Sequence, residues 1–223
     1  MAEYVVEFGK DGGRVEADGR LDAAAFHRNH QAIWAVFAPF LRDRAGDVLE
    51  AGSGTGQHIV HFARNAPQIT WWPSDANDAH LKSIAAWRAH TGLANLRAPQ
   101  RLDLADPAWR ADMPGADPRG LTALFCANVI HIAPWRVTEG LLAGAGRALR
   151  PDGRLFLYGP FKRGGRHTAV SNAVFDTSLR EGNPDWGVRD LDEVRAAAEH
   201  CGLVLHDTVE MPANNLTVVF SRA

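Results

Sequence analysis

Short apolar runs alternate with helix-patterned segments along most of this chain, and that alternation leaves few folds open. Asp47–Ala51 and Ile69–Ser74 read as strands, Leu96–Leu102 as a weaker third, and Arg154–Tyr158 as a later one. Leu121–Ala127 is apolar on both faces, as in the interior of a parallel sheet. His58–Arg64, Ala79–His90 and Val137–Leu149 carry helical patterns, with Gly92 placed as a C-cap and Pro151-Asp152-Gly153 as a turn. The C-terminal end breaks the rule. Asp190 with Glu193 opens a helix that Gly202 follows, and strands Leu203–Asp207 and Leu216–Ser221 then lie only about eight residues apart. A parallel crossover needs about a dozen residues or more, so this pair is expected to be antiparallel. The outline is five alternating units closed by an antiparallel hairpin.

Residues 1–21 are rich in Gly and charge and are expected to form an N-terminal arm, with 22–223 as a single domain. From Asp22 a helical period places Phe26, His30, Ile33, Trp34, Phe37 and Leu41 on one face, with Pro39 expected to end or kink the helix. The chain has 223 residues, 46% hydrophobic and 22% charged, which excludes a disordered composition. Its 24 Lys and Arg against 26 Asp and Glu leave a net charge of −2, so nothing global recruits nucleic acid or an anionic membrane. Cys126 and Cys201 make no disulfide framework or zinc cluster. No signal peptide is readable and no run approaches the ~18 apolar residues of a spanning helix. The expected compartment is the cytoplasm.

Between the first strand and its helix stands Val48-Leu49-Glu50-Ala51-Gly52-Ser53-Gly54-Thr55-Gly56-Gln57. Ligands of open α/β sheets sit outside the carboxyl ends of the strands, so position alone nominates this turn. The dinucleotide fingerprint fails because its third glycine slot holds Gln57, and no Gly-Lys-Ser/Thr completes a P-loop. Glu50 would meet a pyrophosphate with like charge but suits a cationic ligand. S-adenosylmethionine has a sulfonium, an ammonium and no phosphate. Asp75, ending the second strand, is placed to accept both ribose hydroxyls. Asp103, after the third, is placed to accept from the adenine amino group, with Leu104 facing the ring and Asn128 beneath the methyl.

At this point the chain resembles the class I, seven-stranded S-adenosylmethionine-dependent methyltransferases. More narrowly it resembles a small methyltransferase-like family with a domain of unknown function. The resemblance is carried by Leu49–Phe62, Trp72–Asp75, Asn128–Trp135, Leu157–Phe161, Ser171–Arg180, Trp186–Asp190 and Met211–Leu216, and by the pair Arg28-Asn29. It implies an α/β, Rossmann-like three-layer sandwich whose seven-stranded, mostly parallel sheet has an antiparallel C-terminal strand. It also implies S-adenosylmethionine as cofactor, with contacts at Asn29, Glu50, Gly52, Ser53, Gly54, Thr55, Gly56, Gln57, Asp75, Asp103, Leu104 and Asn128. Fold and cofactor do not supply the acceptor.

His131, three residues beyond Asn128, is the candidate general base, should the acceptor need one. Trp135, Tyr158 and Phe161 follow strands on the ligand side. Asn172, Asp176, Arg180, Asn214 and Asn215 are expected to bring polar groups from two long loops to the same edge, as substrate contacts beside His131, Trp135 and Tyr158. His27-x-x-His30 and His58-x-x-His61 lack the ligands that would complete a metal site. Lys162-Arg163-Gly164-Gly165-Arg166-His167 is a short basic loop without the aromatics that stack bases. The expected function is methyl transfer to a small molecule, with release of S-adenosylhomocysteine. The alternatives are a cofactor-binding sensor or partner subunit without transfer, and a nicotinamide oxidoreductase, which Glu50 and Gln57 disfavour. The expected partners are the methyl acceptor and a second copy in a homodimer, with no nucleic acid and no membrane.

Overall fold

The computed structural model describes residues 14–109 and 113–223; residues 1–13 of the expected arm lie outside the described residues. Arg14–Val15 and Leu21–Asp22 pair as a small antiparallel ribbon. Helix α1 (Ala24–Leu41) leads into strand β1 (Gly46–Ala51), helix α2 (Gln57–Asn65), strand β2 (Ile69–Asp75), helix α3 (Asp78–Thr91) and strand β3 (Gln100–Arg101). Strand β4 (Leu121–Ala127), helix α4 (Trp135–Ala148) and strand β5 (Leu149–Gly159) follow, then helices α5 (Val170–Gly182) and α6 (Leu191–His200) and the hairpin of β6 (Leu203–Met211) and β7 (Asn215–Arg222).

The sheet order is β6-β7-β5-β4-β1-β2-β3. β3, β2, β1, β4 and β5 are mutually parallel, and β7 runs antiparallel between β5 and β6, as the short final connection requires. That connection is only the turn Pro212–Asn214, with Ala213 and Asn214 both at φ 58. Helices cover both faces. Ile33 and Phe37 of α1 pack with Phe62, Trp71, Phe125 and Phe156 on one side. Val137 and Leu141 of α4 and Val194 of α6 pack with Leu124, Leu155 and Phe220 on the other. Side chains such as Phe125 and Leu124, adjacent on β4, thus serve opposite cores, which is why this strand reads as apolar on both faces.

Three sequence expectations change. α1 runs through Pro39 to Leu41, because a proline in the last turn sacrifices only one hydrogen bond of the helix. The third strand shortens to Gln100–Arg101 with one isolated bridge, Trp71 to Leu96. Asn172, Asp176 and Arg180 do not stand on a loop: they lie four residues apart along the 13-residue helix α5.

Candidate functional site

A cavity of about 940 Å³ opens outside the carboxyl ends of β1 and β4, where the sheet order reverses direction. Its lining comes from the loop after β1, the ends of β2, β4 and β5, the first turns of α1, helix α5 and the turn between β6 and β7.

The loop after β1 is fixed by its glycines and by the strand beside it. Gly52, Gly54 and Gly56 all have positive φ, of 72°, 56° and 88°, the region L side chains avoid. Their surroundings differ. A Cβ at Gly52 would collide with Val129, and one at Gly56 would lie 3.0 Å from Ile84 of α3. A Cβ at Gly54 would meet nothing within 4 Å, because that face of the backbone looks into the cavity. Ser53 N–H donates to the Ser74 carbonyl at 2.8 Å, and Gly54 N–H donates to Asp75 Oδ2 at 2.8 Å. The other oxygen of Asp75 accepts from Asn77 N–H at 2.9 Å, and His80 Nδ1 stands 3.2 Å from it. Asp75 therefore holds the loop as well as facing the cavity.

Glu50 is 2% exposed, and its Oε2 has no hydrogen-bond partner among the described residues. Burial pushes this carboxyl up to about 8, and the neighbouring charge of Asp75 adds to the rise. An unpartnered buried carboxylate is costly unless something completes it. Gln57 does not line the cavity. Its Oε1 accepts from Ala23 N–H at 2.7 Å and its Nε2 donates to Asp22 at 2.7 Å, tying the start of α1 across the loop. Gly56 likewise serves the turn into α2.

Of the remaining expected cofactor contacts, Asn29, Ser53, Thr55, Leu104 and Asn128 line the cavity. Asp103 does not: its Oδ1 accepts from Ala105 N–H at 2.9 Å within its own turn, while Leu102 and Leu104 on either side face inward.

At the far end, Tyr158, Asn172, Asn214 and Asn215 line the cavity. Asn172 Nδ2 donates to the Asn214 carbonyl at 2.9 Å, so α5 and the β6–β7 turn are joined there. Tyr158 Oη accepts from Asn215 Nδ2 at 3.0 Å. Burial lifts this phenol above its ordinary value, against the pull of the Asn29 and Asn215 side chains and of Arg28, so it keeps its proton at neutral pH. His58, also on the wall, donates from Nε2 to Asn29 Oδ1 at 2.8 Å. Burial, with the charges of His61 and His30, pulls His58 down to about 3, so its ring is neutral.

His131, Trp135, Asp176 and Arg180 lie outside the lining, which corrects their placement at the acceptor. The turn Val129–His131 directs the His131 ring into the core, where it is fully buried against Phe161 and accepts Arg189 N–H on Nδ1 at 3.2 Å. Burial and the charge of Arg189 hold it at about 3, too low for a base near neutrality. Asp176 is a structural anchor, taking Lys162 Nζ at 2.8 Å, Arg180 Nε at 3.2 Å and Val188 N–H at 2.7 Å. With Lys162 on Asp176 and Arg163 on Glu210, two of the basic loop's cations are already paired. Trp135 lies under the Arg189 guanidinium, 5.7 Å from its centroid.

Phe26, Arg28, His58 and His80 were not among the expected contacts, yet they line the cavity. The helical period of α1 assigns Phe26 to the core face; one turn at the helix start projects beyond the sheet and meets the cavity instead.

The sequence profile of the family described as protein of unknown function (DUF938) matches residues 20–222. Among solved structures, TnmH shares 21% identity over 90% of this chain and 56% of its own, with a TM-score of 0.68. The mitomycin 7-O-methyltransferase MmcR shares 18% over 87% and 56%, with a TM-score of 0.66. A putative sarcosine dimethylglycine methyltransferase from Galdieria sulphuraria shares 16% over 95% and 92%, also at 0.66. The chain spans little more than half the length of the first two. These likenesses establish the fold, that of the class I S-adenosylmethionine-dependent methyltransferases.

Proposed function

The chain belongs to the DUF938 family, and from that premise and its fold we propose that it is an S-adenosylmethionine-dependent methyltransferase. It moves the methyl group to a small molecule and leaves S-adenosylhomocysteine.

The observation that supports this reading most is the pairing of Glu50 and Gly54. A buried carboxylate with an unpartnered oxygen stands at the end of β1, beside a backbone face kept bare toward the cavity. That pair suits a ligand that is cationic near β1 and approaches the backbone closely, and it opposes a pyrophosphate. The residues fit the rest of the cofactor as well. Asp75 is held at the end of β2, within reach of a ribose diol, and Leu102 and Leu104 offer apolar flanks for adenine.

Bound there, S-adenosylmethionine supplies a methyl group already activated on a sulfonium. What remains for the chain is to hold, align and keep water away, which can contribute several kcal/mol. Glu50 opposes the ligand's positive charge, Asp75 orients it, and the end lined by Tyr158, Asn172, Asn214 and Asn215 receives the acceptor. His58, the histidine beside Asn29 at that end, has its Nε2 bound to Asn29, and His80 stands beside Asp75 at the other end.

The test is turnover. Purified protein is given methyl-labelled S-adenosylmethionine and fractionated small-molecule extract, and both S-adenosylhomocysteine and labelled product are followed. Stoichiometric formation of the two supports the reading. Tight cofactor binding with no product across the fractions would favour a sensor or partner subunit instead.

A further inference from the structure

The acceptor end of the cavity has a hydrogen-bonding polarity of its own, opposite to that around Glu50 and Asp75. A phenol oxygen has room for two incoming hydrogen bonds and one proton to give. Tyr158 Oη already takes Asn215 Nδ2 at 3.0 Å. Asn29 Oδ1, beside it on the wall, is already taken by the His58 Nε2 proton at 2.8 Å. Among the described residues no acceptor receives the Tyr158 proton, which leaves it for a ligand. Arg28, next to Asn29 on α1, lines the same cavity, is exposed, and makes no ion pair among the described residues, while its charge acts on Tyr158. The carboxylates of the lining stand on β1 and β2. Those strands lie two and three spacings from β5, about 10 and 14 Å away. Asp176, on α5, is consumed by Lys162, Arg180 and Val188 N–H.

We propose that this end of the cavity is an oxyanion site: the methyl acceptor is a carboxylate or a comparably acidic phenol or enol, held by the Arg28 guanidinium and the Tyr158 O–H. The proposal rests on the methyltransferase reading above and names its substrate class. An oxygen nucleophile can accept from Tyr158 and still offer a lone pair to the methyl carbon. A neutral amine has a single lone pair, which the same O–H would occupy, and an ammonium would be repelled by Arg28. The step then balances without a base: the acceptor oxygen forms the O–C bond as the C–S bond breaks. The bonding pair stays on sulfur, the two opposite charges cancel, and no proton moves. His58, the histidine beside Asn29 at this end, is neutral and already bound, which suits an acceptor that arrives ionised.

The probes are benzoate, benzamide and benzylamine, titrated into the protein with and without saturating S-adenosylhomocysteine and followed by nuclear magnetic resonance of the labelled chain. Benzoate is expected to shift signals around Tyr158 and Asn215, and to bind more tightly than the other two. Arg28→Gln and Tyr158→Phe should each weaken benzoate by about tenfold, the loss of one charge-assisted hydrogen bond, and leave S-adenosylhomocysteine affinity unchanged. Both variants keep the fold's packing, since Arg28 is exposed and Phe retains the ring. Benzoate binding no better than benzamide, or unchanged in Arg28→Gln, overturns the proposal. So does an Arg28→Gln defect confined to S-adenosylhomocysteine and absent for 5′-methylthioadenosine, which would assign the guanidinium to the cofactor's own carboxylate. Failure of S-adenosylhomocysteine to bind at all would count against the methyltransferase reading; the benzoate titration without it still reads this end alone.

Discussion

If Glu50 faces a cation when the ligand is bound, binding must expel a proton. The carboxyl is raised to about 8 by burial, with Asp75 adding to the effect. At pH 6.5 such a group is about 97% protonated in the ligand-free protein. A sulfonium or ammonium against it favours the ionised form and returns its pKa toward the ordinary range, so one mole of ligand should release close to one mole of protons. The same linkage makes affinity rise with pH, by up to about tenfold per unit, until the ligand-free pKa is reached. Calorimetric titration with S-adenosylmethionine at pH 6.5 in buffers of different ionisation enthalpy reads the proton count directly. The ligand's own α-amino group, with a pKa near 7.7–8.0, is almost wholly protonated there. Its contribution is common to wild type and Glu50→Gln and cancels in their difference. Wild type should release about one proton more than Glu50→Gln. Equal release by the two proteins would refute the reasoning, because Glu50 would then not be where the ligand's charge sits.

Four further outcomes follow from the same geometry. Without ligand, the folded protein keeps the Glu50 proton that the unfolded chain has lost above the ordinary carboxyl value of 4.5. Stability is therefore full below that pH and falls as pH rises toward 8, by at most about 5 kcal/mol; Glu50→Gln should flatten the curve in chemical unfolding at stepped pH, and an unchanged slope would contradict it. Gly54→Val should abolish S-adenosylhomocysteine binding in a folded protein, whereas Gly52→Val, which meets Val129, should lower the melting temperature first; retained binding in Gly54→Val would sink the loop assignment. Asp75→Asn should weaken S-adenosylhomocysteine by about 1–3 kcal/mol, and an effect near zero would leave Asp75 as a loop anchor only. His131→Ala should cost about 2–4 kcal/mol of stability while sparing ligand affinity; lost turnover at full stability would reinstate it as a base.

The sheet was legible because its buried strands are unmistakable: Leu121–Ala127 is apolar at every position but Thr122, since each face meets a helix layer. The antiparallel end was legible from chain length alone. Helix α5 was not, because its inward face carries Asn172 and Asp176, so apolar periodicity does not mark it. The spacing of four from Asn172 to Asp176 to Arg180 was the available signal. His131 shows a different limit. Its distance along the chain from Asn128 places it near the cavity, but one short turn decides whether the ring faces ligand or core, and Arg189 with Phe161 draws it inward. The glycine loop gave the most and still hid a division of labour: three glycines with one kind of φ, two of them set by neighbours at Val129 and Ile84, and only Gly54 left bare to the cavity.

The most direct test of the central claim is parallel titration of the purified, folded protein with S-adenosylmethionine, S-adenosylhomocysteine and NAD. The account predicts one site for each adenosyl ligand and none for NAD. Binding of NAD, or of none of the three, would contradict it.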